Sequence, residues 1–102
     1  MIYYLYILEC SNNSLYIGYT TDIERRYREH VEGSAKCKYT RSFPPKQLAA
    51  CWQFDTKIGE ILRLEKKLKQ LSKHDKHALI RHPEDLDAIT NLKFEFKKNM
   101  SS

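Results

Sequence analysis

The sequence predicts an α/β domain of the α+β type, in which a small three-stranded antiparallel sheet is flanked by helices in the order β-β-α-β-α-α. Two aromatic and β-branched runs, separated by a Ser-Asn-Asn-Ser cluster, open the chain and indicate a hairpin. Apolar residues at helical spacing occupy much of the remainder, with one further strand-like run between them. The length of 102 residues, 41% of them hydrophobic, provides for one core, so we expect a single folded unit.

The hairpin is the first element of the predicted fold. Residues 1–10 contain no helix punctuation and indicate a buried strand. Residues 11–14 have turn composition, and residues 15–19 form a second short strand. Tyr6 and Tyr16 therefore lie on neighbouring strands.

A helix follows the hairpin and ends at a glycine. Thr21 and Glu24 have the spacing of a capping box, which marks the start of the helix. The helix runs to about Glu32, because Gly33 can adopt the left-handed conformation that ends helices.

The second half of the chain predicts one strand and three helices, after a basic loop over 34–46 that two prolines close. The strand covers residues 47–54, and the helices cover residues 57–72, 74–81 and 84–98. We expect residues 1–82 to form the functional domain. We expect residues 83–102 to be a C-terminal helical extension and tail, not a separate domain.

Composition and charge exclude several classes of protein. No apolar run approaches the roughly 20 residues that a membrane helix needs, and the apolar N-terminus lacks the basic flank of a signal peptide. Three Cys without paired spacing fit a reducing compartment, so we expect a cytoplasmic protein. The net charge of +5, concentrated in residues 22–46 and 57–77, favours a polyanionic partner, nucleic acid first. The alternative is charge that only keeps the domain soluble.

Three features of the sequence could carry chemistry. Tyr6 and Tyr16 bring two phenols together, and Arg26 and His30 lie four residues apart on the side of their helix that faces the sheet. Glu65 lies within the apolar stripe of a later helix, where a lone carboxylate is costly unless it is paired or binds a metal. These groups would supply a cation, a carboxylate for a divalent ion, and groups for proton transfer, as a phosphodiester site needs.

Each of these features also has a structural alternative. The tyrosines could be core residues, since strands favour them, and Arg26 and His30 could cover the edge of the core. Glu65 could form a salt bridge to Arg26 or to a lysine of the basic loop. Residue spacing alone leaves these alternatives open.

The length of the hairpin loop decides whether the two tyrosines share a face of the sheet. With a two-residue loop, Asn12-Asn13, they face opposite ways, whereas with a three-residue loop, Asn12-Asn13-Ser14, they share a face. A shared site therefore needs an odd loop or a bulge, with Asn13 or Ser14 in the left-handed conformation. We expect this arrangement, and with it a single cleft lined by Tyr6, Tyr16, Arg26, His30 and Glu65.

Two tyrosine-containing triplets and the helix after them match a known family. Tyr4-Leu5-Tyr6, Tyr16-Ile17-Gly18, the helical segment 21–30 and the helix with Glu65 resemble the GIY-YIG nuclease domain, in its short stand-alone bacterial branch. The resemblance covers roughly residues 1–75, within the domain that we predict over 1–82. Tyr4 stands where the family has the glycine of its first triplet.

The resemblance implies a metal-dependent endonuclease that hydrolyses DNA. We expect it to be directed by DNA structure rather than sequence and to act in DNA repair or recombination, since nothing in the chain resembles an added targeting domain. Tyr6 and Tyr16 would line the active site, and one of them would help to activate water. Gly18 would permit a close approach. Arg26 would bind the scissile phosphate. His30 would be an alternative base or would position a phenol. Glu65 would be the ligand of a single Mg²⁺ or Mn²⁺.

Basic residues in the loop and on the helix with Glu65 would contact the flanking phosphates. They are Lys36, Lys38, Arg41, Lys66, Lys67 and Lys69. DNA is the expected partner, with no membrane and no small-molecule cofactor. Two alternatives stay open, a non-catalytic DNA-binding module that keeps the nuclease fold and a protein-interaction domain. The joint presence of the five site residues favours the endonuclease.

Overall fold

An antiparallel hairpin forms one side of the sheet. The structure is a computed structural model that describes residues 1–34 and 37–97. Strand β1 (Ile2–Cys10) pairs with β2 (Leu15–Thr20) in a register that places Tyr6 opposite Gly18. Side chains alternate along each strand, so this register points Tyr6 and Tyr16 to the same face.

The hairpin loop contains three residues, Ser11, Asn12 and Asn13. Cys10 N–H donates to Ser14 O at 2.9 Å, which closes the hairpin. Asn13 has a φ of 65°, a left-handed conformation that asparagine tolerates. The predicted odd loop with a left-handed Asn13 is confirmed, although the loop starts one residue earlier than the predicted Asn12-Asn13-Ser14.

Helices and two further strands complete the fold. The elements after the hairpin are α1 (Ile23–Glu32), α2 (Lys38–Ser42), β3 (Pro45–Asp55), α3 (Ile58–Lys69), α4 (Lys73–Arg81), a 3₁₀-helix (Pro83–Ala88) and β4 (Glu95–Phe96). The strands are arranged in the order β2-β1-β3-β4, and every pairing is antiparallel. The predicted fold class, a small antiparallel sheet flanked by helices, is confirmed.

Three details of the predicted fold are wrong. The segment expected to be a basic loop contains helix α2. Within the described residues the sheet has four strands rather than three, because Phe96 pairs with Trp52 on β3 and their rings lie 6.2 Å apart. The helix expected over 84–98 is instead a 3₁₀-helix and β4, with residues 98–102 outside the described part of the chain. Phe94 and Phe96 have the two-residue alternation of a strand, and their packing against the sheet overrides local helix propensity.

Hydrophobic side chains cover both faces of the sheet. One face packs Leu5, Ile7 and Trp52 against residues of α3 and α4. The other face packs Tyr6 and Leu8 against α1. Alternate side chains of β1 therefore belong to two separate hydrophobic clusters, and the site described below lies on the α1 side of the sheet.

The helices are short compared with a lipid bilayer. Within the ranges 1–34 and 37–97, no helix is long and apolar enough to cross a membrane, and α3 has 12 residues.

Candidate active site

A cleft of about 350 Å³ opens between the hairpin and helices α1 and α3. Its wall combines phenol, guanidinium and carboxylate side chains. The residues that form it include Tyr6, Tyr16, Gly18, Thr20, Thr21, Arg25, Arg26 and Glu65. Because β2 is the edge strand, α1 and α3 can line the same cleft although they pack on opposite faces of the sheet.

Gly18 makes room for the phenol of Tyr6. A Cβ atom at position 18 would lie 2.6 Å from Tyr6 Oη and 3.2 Å from Tyr16 Cε1. Both distances are shorter than an ordinary van der Waals contact, so any side chain at this position would displace the Tyr6 ring. The absence of a side chain, rather than an unusual backbone angle, is what the cleft requires here.

A chain of buried hydrogen bonds leads from Tyr6 to the backbone of the segment before α2. The Tyr6 hydroxyl lies 2.9 Å from His30 Nε2, and His30 Nδ1 lies 2.8 Å from Thr40 Oγ1. Thr40 donates its hydroxyl proton to Cys37 O at 3.2 Å. Since a threonine hydroxyl has a single proton, Thr40 accepts from His30 Nδ1–H. His30 Nε2 then carries the lone pair, and Tyr6 donates to it.

The protonation states of this chain follow from burial. His30 is 1% exposed, and burial together with the charge of Arg26 lowers its pKa from 6.5 to about 4, against the opposing effect of Glu29. Burial raises the pKa of Tyr6 well above its ordinary value, with a further contribution from Tyr16, and Arg26 opposes the shift. At neutral pH the imidazole is therefore neutral and the phenol is protonated, as the hydrogen-bond directions require.

Arg26 extends from α1 to the cleft beside an exposed neighbour, Arg25. Arg26 Nε lies 3.7 Å from Glu29 Oε1, and Arg25 Nε lies 3.7 Å from Glu29 Oε2. The single carboxylate of Glu29 thus faces two guanidinium groups at distances too long for strong hydrogen bonds. Both arginines keep donors for an anion in the cleft.

Glu65 contributes the carboxylate of the cleft. Its side chain is 16% exposed, and Oε2 lies 3.7 Å from Lys69 Nζ, one turn further along α3. The predicted alternative, a salt bridge from Glu65 to Arg26, is not formed. Burial is the main cause of the raised pKa values of Tyr6 and Tyr16, and the charge of Glu65 adds to both, which fits its place in the same cleft.

The donor set of the cleft fits one hard divalent cation that is shared with a substrate. Within residues 1–34 and 37–97, no three His, Cys, Asp or Glu side chains cluster as a complete metal site. Mg²⁺ is commonly held by one or two carboxylates together with water and substrate phosphate oxygens. Glu65 can supply that carboxylate, and its weak contact with Lys69 leaves its oxygens available.

The structure brings four of the five predicted site residues to the cleft wall, and the fifth lies behind it. Tyr6, Tyr16, Arg26 and Glu65 line the cleft, whereas His30 is buried and meets it only through the Tyr6 hydroxyl. The prediction that His30 lines the cleft is therefore wrong. The cause is the Thr40 contact, which holds the imidazole between α1 and α2.

The predicted phosphate-binding residues are spread over the surface. Lys38 and Arg41 are exposed on α2, Lys66 and Lys69 are exposed on α3, and Lys36 lies outside the described residues. Lys67 lines a different depression together with Glu60 and Asp87. It does not belong to the cleft that contains Glu65.

Sequence reasoning missed several residues of the site, Thr40 and Arg25 among them. Thr40 lies in a segment that we expected to be a loop, and only the tertiary contact with His30 reveals its place. Arg25 was not among the predicted site residues, yet it lines the cleft together with Thr21. A basic pair at the first turn of a helix was the available signal for Arg25, because anions bind near helix N-termini.

The fold, the two tyrosine-containing triplets of the hairpin and the cleft beside them together define a GIY-YIG catalytic domain. The model of that family matches residues 2–78. The chain belongs to the GIY-YIG family, which confirms the predicted endonuclease class.

Relatives within the family are short proteins of similar length. The UPF0213 protein BH0048 of Halalkalibacterium halodurans is 45% identical over 80 residues, which cover 78% of this chain and 83% of the relative. The UPF0213 protein HQ_3675A of Haloquadratum walsbyi is 44% identical over 85 residues, 83% of this chain and 93% of the relative. A solution NMR structure of the UPF0213 protein BH0048 from Bacillus halodurans is similar, with a TM-score of 0.51 and 44% identity, and covers 79% of this chain and 84% of that one.

Proposed function

We propose that the protein is a metal-dependent endonuclease that hydrolyses DNA phosphodiester bonds in DNA repair or recombination. The observation that carries the proposal is the hydrogen-bond chain that ends at Tyr6, in a cleft that also contains Arg26 and Glu65. Phosphate contacts position a duplex without reading its bases, so the basic surface supports recognition by DNA structure rather than sequence.

Arg26 positions the scissile phosphate in this proposal. Its guanidinium is partly exposed, lines the cleft and is only weakly engaged by Glu29. It donates to the non-bridging oxygens and stabilises the negative charge that increases on them in the transition state. Arg25 contacts the adjacent phosphate from the same turn of α1.

Tyr6 and His30 remove the proton of the attacking water. The Tyr6 hydroxyl accepts that proton as its own proton passes to His30 Nε2, which is 2.9 Å away. The water oxygen forms a bond to phosphorus, the bond from phosphorus to the leaving oxygen breaks, and solvent protonates that oxygen. The imidazolium that results keeps its Nδ1–H bond to Thr40. This relay needs no free phenolate, which the raised pKa of Tyr6 disfavours.

Tyr16 orients the water rather than acting as the base. Its ring stacks near Tyr6 at 6.4 Å and meets the His30 ring edge-on at 5.0 Å. The imidazole nitrogens are already bonded to Tyr6 and Thr40, so Tyr16 has no route to the same acceptor.

Glu65 would hold the divalent ion, Mg²⁺ or Mn²⁺, at the open side of the cleft. When bound, the ion supplies positive charge that polarises the scissile phosphate. Lys69, which faces Glu65 at 3.7 Å, turns away or contacts a flanking phosphate when the carboxylate is engaged.

Cleavage of defined DNA substrates tests the proposal. Labelled duplex, nicked, branched and single-stranded DNA are incubated with the protein, with and without Mg²⁺ or Mn²⁺. We expect cleavage that requires the ion, and we expect Glu65→Ala to abolish it. The substitution should leave the fold intact, because Glu65 forms only a long, partly exposed ion pair.

Glu60→Ala is the matched control for this variant. It removes the same charge from the same helix, on a side that does not line the cleft. The control should cleave like the wild type. DNA binding without cleavage of any substrate would identify the chain as a non-catalytic DNA-binding module. Cleavage by Glu65→Ala at the wild-type rate would overturn the metal-binding role.

A further inference from the structure

Aromatic rings continue from the cleft onto the surface of α2. Tyr16, at the cleft wall, stacks near Tyr39 with ring centroids 5.9 Å apart, and Tyr39 lies 5.4 Å from Phe43. We call Tyr16, Tyr39 and Phe43 the aromatic row. Tyr39 and Phe43 are four residues apart on α2 and its C-terminal cap, which places both rings on one side of the helix.

The outer two rings of the row are exposed. Tyr39 is 39% exposed and Phe43 is 38% exposed, although both are large aromatic residues next to a core. Grouped aromatic side chains on a surface indicate a binding site more often than isolated ones do. Neither ring is needed to fill the buried cluster around Tyr6 and Leu8.

The hairpin loop holds Tyr39 in place. The Tyr39 hydroxyl accepts a hydrogen bond from Asn12 Nδ2 at 3.2 Å and is also bonded to Ser14 Oγ. These contacts join the β1–β2 loop to α2 across a long stretch of sequence. A ring fixed in this way loses little conformational entropy when a ligand stacks on it.

The segment that carries the two outer rings also carries cations and no acid. Lys38 and Arg41 are exposed on α2, and Lys46 reaches the hairpin loop, where Nζ donates to Asn13 Oδ1 at 2.6 Å. Residues 33–54 contain no Asp or Glu. The surface therefore combines ring faces with a positive potential, which suits a polyanion that presents flat aromatic groups.

We propose that the aromatic row binds the unpaired bases of single-stranded DNA next to the scissile phosphate. The inference rests on the proposed function, because it assigns the class of DNA that the same cleft takes. Bases stack on Tyr39 and Phe43 while Lys38, Arg41 and Lys46 contact the phosphates between them. A duplex cannot use the row, because its base faces are already covered by their stacked neighbours.

Binding without cleavage tests the inference independently of the nuclease activity. Fluorescence anisotropy with labelled DNA in excess EDTA compares a single strand with the blunt duplex of the same sequence. We expect the single strand to bind at least about tenfold more tightly, as stacking on aromatic side chains allows. Equal affinity for the two DNAs, or tighter binding of the duplex, would overturn the proposal.

Leucine substitutions remove the ring faces and keep apolar bulk. Tyr39→Leu and Phe43→Leu should each weaken binding of the single strand by about tenfold and leave duplex binding nearly unchanged. Tyr39→Phe is the matched control, because it keeps the ring and loses only the bonds to Asn12 and Ser14. It should weaken binding by only about two- to threefold, because the ring stays and only its attachment to the loop is lost. Wild-type affinity for the single strand in both leucine variants would overturn the proposal.

Photocrosslinking of the wild-type protein locates the contact even if a variant folds poorly. A single strand that carries 5-iodouracil should crosslink to Tyr39 or Phe43, as mass spectrometry of the digested complex would show. Crosslinks confined to other residues would contradict the proposal. Crosslinks at the row in a protein that cleaves no DNA with Mg²⁺ would refute the proposed function and leave this inference standing. Cleavage without crosslinks at the row would support the proposed function and refute this inference.

Discussion

Gly18 shows how a single missing side chain shapes the cleft. The residue sits opposite Tyr6 in the hairpin, and the Tyr6 phenol occupies the space that a Cβ atom would take. Tyr4 lies two residues before Tyr6 on β1 and therefore points to the same face of the sheet. It is half-buried and packs against the cluster beside α1. A large residue therefore fits at the first position of the first triplet, whereas none fits at the last position of the second.

Gly18→Ala should impair activity more than stability. The added methyl group meets Tyr6 Oη at 2.6 Å, so the ring must move and its bond to His30 is strained or lost. We expect a loss of about 1–3 kcal/mol in the free energy of unfolding, as for other overpacked sites, and a fall in cleavage rate of about a hundredfold. Urea denaturation and single-turnover cleavage measure the two effects. An unchanged cleavage rate would show that the position of Tyr6 is not critical.

Helix α2 holds the buried His30 side chain in the orientation that lets it contact Tyr6 in the cleft. Although it has only five residues, it supplies Thr40, whose hydroxyl is fully buried and bonded on both sides. Without this contact the His30 ring could adopt either tautomer. The element therefore determines which nitrogen faces Tyr6.

Thr40→Val should uncouple the imidazole from α2. Valine keeps the shape of threonine but leaves His30 Nδ1–H buried without a partner, which costs about 1–3 kcal/mol of stability. Cleavage should fall as the population of the correct tautomer falls, and Thr40→Ser should restore most of it. Nitrogen NMR shifts of the His30 ring report the tautomer directly. The same tautomer and cleavage rate in Thr40→Val and the wild type would rule out this positioning role.

Local sequence patterns predicted those elements whose ends are determined by interactions between residues close together in the sequence. Gly33 ends α1 in the left-handed conformation at φ 69°, as predicted. The predicted capping box is wrong, because the helix is capped by Asp22, which accepts from Arg25 N–H, and not by Thr21. The odd hairpin loop followed from the need to place Tyr6 and Tyr16 together. The apolar spacing of α3 likewise predicted a buried face, and Ile61, Leu64 and Leu68 are buried there. Ile58 and Leu62 belong to the same spacing but are exposed.

The parts that sequence could not predict depend on contacts between distant residues. Helix α2 lies in a proline-closed basic segment without an apolar period, and its Thr40 and Tyr39 are held by His30 and by the hairpin loop. The spacing of Ile23, Tyr27 and Val31 predicts an apolar stripe on α1. Val31 is nevertheless 51% exposed, because the helix turns His30 rather than Val31 toward the sheet. Periodicity finds a buried face, but the neighbouring elements decide which residue at its edge is covered.

At the scale of the whole molecule, two cores on opposite faces of one sheet support a single cleft at its edge. The cluster around Trp52 fixes α3, and the cluster around Leu8 fixes α1. Arg26 and Glu65 thus meet the same cleft from separately packed helices. Residues 83–97 contribute to the first of these clusters, since Leu86 is fully buried and Trp52 Nε1–H donates to Pro83 O at 3.0 Å.

The net charge of +5 should make DNA affinity depend steeply on salt. Each phosphate contact releases a counterion, so the slope of log affinity against log salt counts the contacts made. We expect a slope of about −3 to −5 between about 50 and 200 mM salt, with little dependence on base sequence. Lys38→Ala should reduce the slope by about one contact. A flat salt dependence, or no binding at low salt, would favour the protein-interaction alternative.

The buried neutral His30 should make the fold lose stability as the pH falls. Its pKa is about 4 in the folded protein and about 6.5 in the unfolded chain, so between these values the unfolded chain binds more protons. The stabilisation that the neutral imidazole provides is complete above about pH 6.5, declines as the pH falls, and is lost below about pH 4. A difference of this size corresponds to about 3 kcal/mol.

Urea unfolding of the wild type and of His30→Gln at a series of pH values isolates this contribution, since carboxylates titrate in both proteins and glutamine does not. The difference in unfolding free energy between the two should shrink from about pH 7 to about pH 4. A constant difference over that window would mean that folding does not lower the pKa of His30. A difference that grows as the pH falls would mean that the folded protein holds the imidazolium, and Tyr6 could then not donate to Nε2.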